Sequence, residues 1–405
     1  MFKKNNLLIT VIILAIFPLP QIAIDLYLPS LPVMAKLFHT PYSYLQLSLT
    51  SYILTMGLSQ LIYGPLSDFY GRKPILLIGM LLFMLGTLLC LLSNSIRIFL
   101  IARSIQGFGM GCGFSVASAM IADQFHGKKL LKISALSSII YSLSPVFAPV
   151  IGGYLQYYVN WNSNFVFMLV YALSLNLVII YYLPETNTLS KTRPSPSIKK
   201  VLAIYYQMIK HYRFLSYTAA MTLAFGITVT FNIIGPYLMQ QLLHVSVIDY
   251  GKLLLILGLS YLVGTFLNHK LINYINVPAL ISFGLCLMLI ASLLLIVLSA
   301  YAFVSVVVLT LLTSIIIFAT GFIFPNCFAK ALEIFPDNAG TSGAFIGSVG
   351  LIGNGVLSGM IAHLSVSGCG VLGYLFLIES LLIMLFMALS ALGAKVCANR
   401  LLVNR

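Results

Sequence analysis

Two acids of this 405-residue chain stand inside long apolar runs, and their type and setting make them the first candidates for chemistry. Asp25 lies near the end of the run Leu7–Leu28, and Glu379 lies about nine residues into the run Val371–Ala394. An ionisable side chain within hydrocarbon is expensive, so a function is the default reading. Asp25 is 18 residues beyond Leu7, which is about 27 Å along a helix and places it in the outer part of a bilayer. Arg103 sits seven residues into a run that starts at Ile96, about 10 Å deep. The matched depths predict a pair. Burial disfavours the charged form of a carboxyl and a nearby guanidinium favours it, so relative movement of Asp25 and Arg103 changes how tightly a proton is held. That chemistry is proton uptake and release coupled to conformation. The alternative for Asp25 is a helix-end residue wetted by the outer surface. Glu379 is expected to be a neutral, hydrogen-bonded acid.

Little else in the sequence suggests reactive chemistry. The six histidines (His39, His126, His211, His244, His269 and His363) are scattered, and no metal site or histidine relay is expected. The six cysteines show no close pairing and read as small hydrophobic residues. An enzyme acting on lipid or quinone would need a cluster of His, Asp or Cys beside the apolar runs, and none is visible. A sensor would need a soluble signalling domain, and the longest loop is too short for one.

The elements that position these residues must be membrane helices. Hydrophobic residues make up 60% of the chain and charged residues 7%, where an ordinary soluble domain carries about 25% charged; mean hydropathy is +1.04. Leu271–Ala329 contains no Asp, Glu, Lys, Arg or His, room for two crossings of about 20 residues each. Apolar windows give twelve spans: Leu7–Leu28, Tyr44–Leu66, Ile75–Leu92, Ile96–Ile121, Leu131–Leu155, Phe165–Leu183, Phe214–Leu238, Tyr250–Leu267, Ala279–Leu298, Ala302–Phe328, Gly340–Leu364 and Val371–Ala394. The first follows Lys3 and Lys4 as a signal peptide would. Its prolines, its Asp25 and the lack of a small-x-small cleavage site make it a retained span.

The 22 basic residues outnumber the 8 acidic ones, for a formal charge of +14. In a membrane protein that excess reflects the positive-inside rule, and nucleic-acid binding is not expected. Lys3, Lys4, Lys128, Lys129, Lys132, Lys191, Arg193, Lys199, Lys200, Lys210, Arg213, Lys395, Arg400 and Arg405 all fall on one face of the twelve-span order. That face is the cytoplasmic one, and both termini share it. Pro184–Tyr212, centred on Thr192-Arg-Pro-Ser-Pro-Ser197, reads as a cytoplasmic linker between two six-helix halves, residues 1–183 and 213–405. The halves echo each other weakly, Asp68-Phe-Tyr-Gly71 against Asn273-Tyr-Ile-Asn276, as in transporters built from parallel repeats with a site between them.

The strongest motif is Gly64-Pro-Leu-Ser-Asp68-Phe-Tyr-Gly71-Arg72-Lys73-Pro74, between the second and third spans. Gly71 permits a positive φ at a tight reversal. Asp68 and Arg72 stand near helix ends, where a carboxylate can cap N–H groups or pair with a guanidinium. This sequence resembles the loop motif of the major facilitator superfamily. In that family the loop latches the cytoplasmic side of the outward-facing state, and the resemblance implies that Asp123 joins Asp68 and Arg72 in a charge network. Asp25-Leu-Tyr27-Leu-Pro29-Ser-Leu-Pro32, Arg103-Ser-Ile-Gln106-Gly107, Ser144-Pro145-Val-Phe-Ala148-Pro149-Val-Ile-Gly152-Gly153, Leu183-Pro-Glu-Thr186 and Phe335–Ala344 are together similar to the bicyclomycin-resistance (Bcr/CflA) branch of drug:proton antiporters. Ala148 departs from the glycine usual before the proline of the fifth span.

The resemblance implies an all-α protein of the major-facilitator fold in the bacterial inner membrane. It implies proton-coupled efflux of small amphipathic compounds, driven by the proton gradient without a cofactor, and a functional monomer whose partners are substrate, protons and lipid. Export of an endogenous metabolite, such as a siderophore or an amino-acid derivative, by the same fold is the alternative. Polar side chains inside spans are candidates for substrate contact or for interhelical hydrogen bonds: Gln21, Tyr52, Gln106, Tyr141 and Asn232 foremost, with Gln60, Ser144 and Asn354. Gly107/Gly111 and Gly109/Gly113 are spaced for close helix packing.

Overall fold

The computed structural model describes residues 2–187, 198–336, 339–364, 366 and 368–403. Fifteen α-helices follow one another with no strand among the described residues. The first apolar run is broken by its prolines into α1 (Phe2–Ile16), α2 (Leu19–Asp25), a tight turn at Leu28–Ser30 and α3 (Leu31–Leu37). Pro18 and Pro29 sit at these breaks because proline lacks the N–H that an uninterrupted helix needs. Backbone bonds from Ile22 N–H to Pro18 O and from Leu26 N–H to Ile22 O carry the path across, so Leu7–Leu37 forms one crossing-length segment.

The long helices are α4 (Tyr42–Tyr70), α5 (Arg72–Leu91), α6 (Ile96–Gln124), α7 (Gly127–Tyr158), α8 (Asn162–Tyr182), α10 (Tyr212–Tyr237), α11 (Val247–Leu271), α12 (Val277–Ala300), α13 (Val306–Leu332), α14 (Ala339–Ala362) and α15 (Gly370–Val403). Eleven segments among the described residues are long and apolar enough to cross a membrane, against the twelve expected. The difference is α4. Its 29 residues are long enough, but Gln46, Ser48, Thr50, Ser51, Thr55, Ser59 and Gln60 make it too polar to qualify. Ser51 and Thr55 return their hydroxyl protons to carbonyls one turn back, Leu47 O and Ser51 O, which is how a polar helix remains compatible with lipid.

Within the expected linker Pro184–Tyr212, Ile198–Lys210 forms α9, because apolar residues recur there at helical spacing. Tyr205 of α9 packs on Phe345 of α14 at 5.2 Å between ring centroids, and Met208 is buried. Residues 188–197, with Lys191, Arg193 and the Thr192–Ser197 motif, lie outside the described residues, as do Asp337, Asn338 and Arg405.

Close packing uses the glycines that the spacing singled out. Gly107 and Gly111 of α6 face α4, where a Cβ would run into Tyr52 O and Ser59 Oγ, and Gly109 faces Phe83 N and Gly79 O of α5. Small residues let helix backbones touch in lipid. Two contacts join helices from distant parts of the chain. In one, α4 lies antiparallel to α14, with Gly355 on Leu54 and the Thr50 and Ser358 hydroxyls 2.7 Å apart. In the other, α7 lies against α11, with Gly251 on Pro149 and Gly258 on Val146.

Candidate functional site

Asp25 ends α2 and is 2% exposed. Its carboxylate accepts from Gln21 Nε2 one turn back at 2.8 Å and from Asn232 Nδ2 of α10 at 3.0 Å. Gln21 Oε1 in turn accepts from Tyr141 of α7 at 3.1 Å. Three helices thus converge on one carboxyl through uncharged groups. Around it the same two stretches of chain are tied by further bonds. Gln46 Nε2 and the Tyr42 hydroxyl donate to Ile233 O at 2.9 and 3.3 Å, and Gln240 Nε2 donates to Pro29 O at 3.1 Å. The rings of Tyr42 and Tyr237 lie 5.4 Å apart, beside a cleft of about 460 Å³ that Lys36 and His39 also line. Gly152 brings α7 so near the chain after Asp25 that a Cβ there would overlap Leu26 O.

Arg103 is fully buried, yet it does not pair with Asp25, which corrects the expected contact. Its guanidinium donates to Ala23 O at 3.1 Å, to Ser48 O at 3.4 Å and to Gln106 Oε1, and it lies 4.7 and 4.3 Å from the ring centroids of Tyr27 and Tyr52. No ion pair among the described residues includes either charge. Depth along a helix fixes height but not azimuth. Arg103 reaches the backbone two residues before Asp25, where carbonyls and aromatic faces hold the cation instead of a carboxylate. Gln106 also donates to Thr87 Oγ1 at 2.8 Å, and the Tyr52 hydroxyl to Pro20 O at 3.0 Å.

The five expected contact residues therefore fall into two adjoining groups. Gln21, Tyr141 and Asn232 surround Asp25, while Tyr52 and Gln106 surround Arg103. Of the others, Ser144 bonds within its own helix to Ile140 O, Gln60 lies against Gly347, and Asn354 belongs to a separate buried cluster beside Glu379.

The loop motif builds a second polar centre. Gly71 breaks the chain between α4 and α5 with φ +98°, a conformation that glycine adopts freely. Arg72 then opens α5 and pairs with Asp68 and, at 3.0 Å, with Asp123 at the end of α6; it also donates to Ser67 Oγ. Arg72 is 10% exposed and Asp123 25%, against 39% for Asp68, so the Asp123 pair is the better shielded from water. Lys73 Nζ donates to Ile180 O at 2.8 Å. Gly64 has open space where a Cβ would sit, and its carbonyl accepts from Ser67.

Glu185 was not singled out from sequence, and it is central here. Its carboxylate accepts from the N–H groups of Arg72 and Lys73 at 2.9 and 3.1 Å. That caps the positive end of α5, where a carboxylate is favoured. A Cβ on Gly71 would stand 2.6 Å from Glu185 Oε2, so the glycine also makes room for the cap. Thr186 donates to Asp123 and Asn187 to Asp68 O. The Leu183-Pro-Glu-Thr186 motif was the available signal; its partner lies 113 residues away, so only the fold reveals the contact.

The described residues contain no group of three or more His, Cys, Asp or Glu side chains placed to hold a metal ion. What remains is a buried carboxyl and a buried cation at a junction of helices, with a charge cluster at the opposite end of the bundle.

Comparison with known proteins agrees with this layout. The model of the Major Facilitator Superfamily matches residues 19–358. Multidrug resistance protein D of Escherichia coli K12 is 28% identical over 95% of this chain and 96% of its own length. An MFS-type transporter of Bacillus subtilis, YdgK, is 30% identical over 84% of both, and a bicyclomycin resistance protein homolog of Haemophilus influenzae is 26% identical over 85% and 86%. Among solved structures, a D-xylose-proton symporter superposes with a TM-score of 0.75 at 16% identity, covering 94% of this chain and 97% of that one. The human organic anion transporter MFSD10 gives 0.68 at 20% identity, covering 95% and 99%.

Proposed function

This chain belongs to the Major Facilitator Superfamily, in its bicyclomycin-resistance branch, and is a multi-pass membrane transporter rather than an enzyme; from that premise we propose that it is a proton-coupled antiporter exporting small amphipathic compounds across the bacterial inner membrane. The names of its relatives, which include multidrug resistance proteins, support the substrate class. In this reading α4 is the twelfth span, residues 1–183 and 213–405 are the two six-helix halves, 184–212 join them on the cytoplasmic side with both termini, and the monomer is the working unit.

The observation that carries the proposal is the bond from Asn232 to Asp25. It is a carboxylate contact made across the two halves, 207 residues apart in sequence and sealed from bulk water. The bonds around it, Gln46 and Tyr42 to Ile233 and Gln240 to Pro29, lie at the end that the positive-inside rule makes periplasmic. In this reading those bonds close the periplasmic side.

Opening that side separates Asp25 from Asn232 and exposes it to periplasmic protons. Reclosing returns the carboxyl to a dry site beside the fixed charge of Arg103, where holding a proton and admitting a substrate are alternatives. A buried carboxylate is costly without donors, and Gln21 and Asn232 supply them when the proton has left. Tyr52, Gln106 and Tyr141 border the same space and would meet the substrate. At the cytoplasmic end the cluster of Asp68, Arg72 and Asp123, with Gly64, Gly71 and Lys73, is already assembled within the N-terminal part of the chain, and in this reading it latches the outward-facing state by engaging the C-terminal half when the cytoplasmic side closes.

The test is proton release. Lipophilic cations and neutral amphiphiles are added in turn to purified protein in weak buffer containing a pH dye. At least one should release protons from the native chain and none from Asp25→Asn. Asp68→Asn should release them normally yet exchange slowly in vesicles. Transport in vesicles without any proton release would leave a transporter but end the antiport reading.

A further inference from the structure

Glu379 is the second buried acid, and the transport mechanism above does not use it. It lies on α15, is 2% exposed, and accepts on Oε1 from the hydroxyl of Thr230 on α10. Its other oxygen, Oε2, is buried without a partner. Close by, Asn354 of α14 is 1% exposed; its Nδ2 donates to Gly350 O at 2.8 Å and its Oδ1 is likewise buried and unpartnered. The two side chains converge on Gly226 of α10, where a Cβ would lie 3.2 Å from Asn354 Oδ1 and 4.0 Å from Glu379 Oε1. Three helices therefore enclose a site in which two acceptor oxygens, Glu379 Oε2 and Asn354 Oδ1, meet no donor.

No cation is placed to answer them. α12, packed on α15, carries no Asp, Glu, Lys, Arg or His, and its Cys286 is exposed. The ionisable side chains of α10 are Tyr212, Arg213, Tyr217 and Tyr237, all seven or more residues from Thr230. α13 presents Cys327, whose Sγ is 3.8 Å from Met387 Sδ, eight residues beyond Glu379, and Lys330, which pairs with Glu333. α14 carries no ionisable residue, and His363 follows its end, nine residues beyond Asn354. On α15 itself Tyr374 is five residues away, while Lys395, Cys397 and Arg400 are sixteen or more.

An ionised Glu379 would leave a bare charge and two orphaned oxygens in a dry site, each unmade hydrogen bond costing about 1–3 kcal/mol. A proton on Oε2 removes the charge and turns that oxygen into a donor, and Asn354 Oδ1, which borders Gly226 as Glu379 Oε1 does, is the unpartnered acceptor of the same site.

We propose that Glu379, Asn354 and Thr230 form a second proton-binding site, inside the C-terminal half, linked to Asp25 through α10. The link is visible in one helix. Thr230 bonds Glu379 and, two residues on, Asn232 bonds Asp25. Two residues turn a helix by about 200°, so α10 grips the two acids from nearly opposite faces. A shift of α10 that breaks the Asn232 bond also moves Thr230 against Glu379, so that occupancy of one site biases the other. The second site stands on its own geometry; only its role in turnover rests on the antiport reading.

The experiment reads proton binding directly and not transport. Infrared spectra of the purified native chain in nanodiscs, recorded from mildly acid to mildly alkaline pH, should contain a carboxylic-acid band that Glu379→Gln removes and Asp25→Asn retains, and that disappears on the alkaline side. Asn354→Leu should move that band to the frequency of an acid without an acceptor, which keeps the assignment testable if Glu379→Gln does not fold. In Asp25→Asn its titration midpoint should move by about fivefold or more in proton affinity, the lower end of ordinary coupling between sites. A band that persists at every pH, or no such band, overturns the site; an unmoved midpoint overturns the link through α10. Neither result depends on whether any compound is exported.

Discussion

Asp25 and Glu379 are equally buried, yet they are built into the protein in different ways. Asp25 ends a short helix in a first crossing that prolines divide into three helices and a turn, and it is held by two amides, one from its own turn and one from α10, 207 residues away. Glu379 lies inside an uninterrupted helix and is held by one hydroxyl, that of Thr230 on α10. In the proposed cycle an acid on the junction between the two halves changes its surroundings at each turnover, whereas one packed among helices of a single half keeps its neighbours and responds only to small shifts of a shared helix. The comparison teaches that burial shows where a proton costs free energy, and that the boundary between moving parts decides whether that cost can drive motion.

The sharpest way to break this contrast is to neutralise each acid in turn. Asp25→Asn keeps the shape and removes the titration, so energised efflux from cells or vesicles should fall to background. Glu379→Gln keeps the Thr230 bond, and efflux should stay within about threefold of the native rate, under 1 kcal/mol, while its pH midpoint shifts. Equal losses in the two variants, measured as initial efflux rates at matched expression, would erase the distinction between a driving site and a linked one.

How much of this was legible beforehand depends on the range of the interaction. The apolar runs located the long helices, because hydrocarbon length is written in consecutive residues. α4, expected as the span Tyr44–Leu66, is the most polar of them, and its polar residues are satisfied by its own carbonyls and by neighbours distant in sequence. Asp68 and Arg72 were found through a motif within one loop, and Asp123, 51 residues further on, only through the resemblance to a family. The Asp25–Arg103 pair was expected from matched depth and is absent, since spacing along a helix does not say which way a side chain points across the bundle. Asn232 was named only as a possible contact residue, and Glu185 only as an unassigned member of a motif, because their partners are 207 and 113 residues away. α9 was hidden inside a span of composition typical of a linker.

A second, smaller effect tests the rigidity of the two surroundings. Each acid has a glycine beside it. At Gly152 a Cβ would overlap Leu26 O, a backbone atom one residue after Asp25, so Gly152→Ala forces α7 and the first segment apart. Overpacking of this kind costs about 1–3 kcal/mol, and efflux should fall with it. At Gly226 the nearest atom is Leu357 Cδ2 at 2.8 Å, the end of a flexible side chain. Gly226→Ala also gains up to about 1 kcal/mol of helix propensity, so the net change should lie close to zero. Thermal unfolding in detergent, with the two variants side by side, checks the ordering. A Gly226 variant that loses as much as the Gly152 variant would show that the Glu379 site is as tightly determined as the junction.

The smallest effect probes the single bond that joins Glu379 to α10. Thr230→Val preserves the side-chain volume and deletes the donor, leaving Oε1 as unpartnered as Oε2 already is. Loss of a hydrogen bond to a buried neutral acid should lower stability by about 1 kcal/mol. Combining it with Glu379→Gln separates the bond from the rest of the site, because residues in contact show a coupling that distant residues lack. In the native background Thr230 donates to a carboxyl oxygen and in Glu379→Gln to an amide oxygen of nearly the same geometry. The two substitutions should therefore add to within about 0.5 kcal/mol if Glu379 carries its proton throughout the measurement. An ionised carboxylate makes the stronger, charge-assisted acceptor, and Thr230→Val would then cost more beside Glu379 than beside the glutamine. Repeating the cycle on the alkaline side should reveal that excess. If the coupling is the same at both pH values, Glu379 does not change its protonation between them, and the two acids differ in chemistry as well as in position.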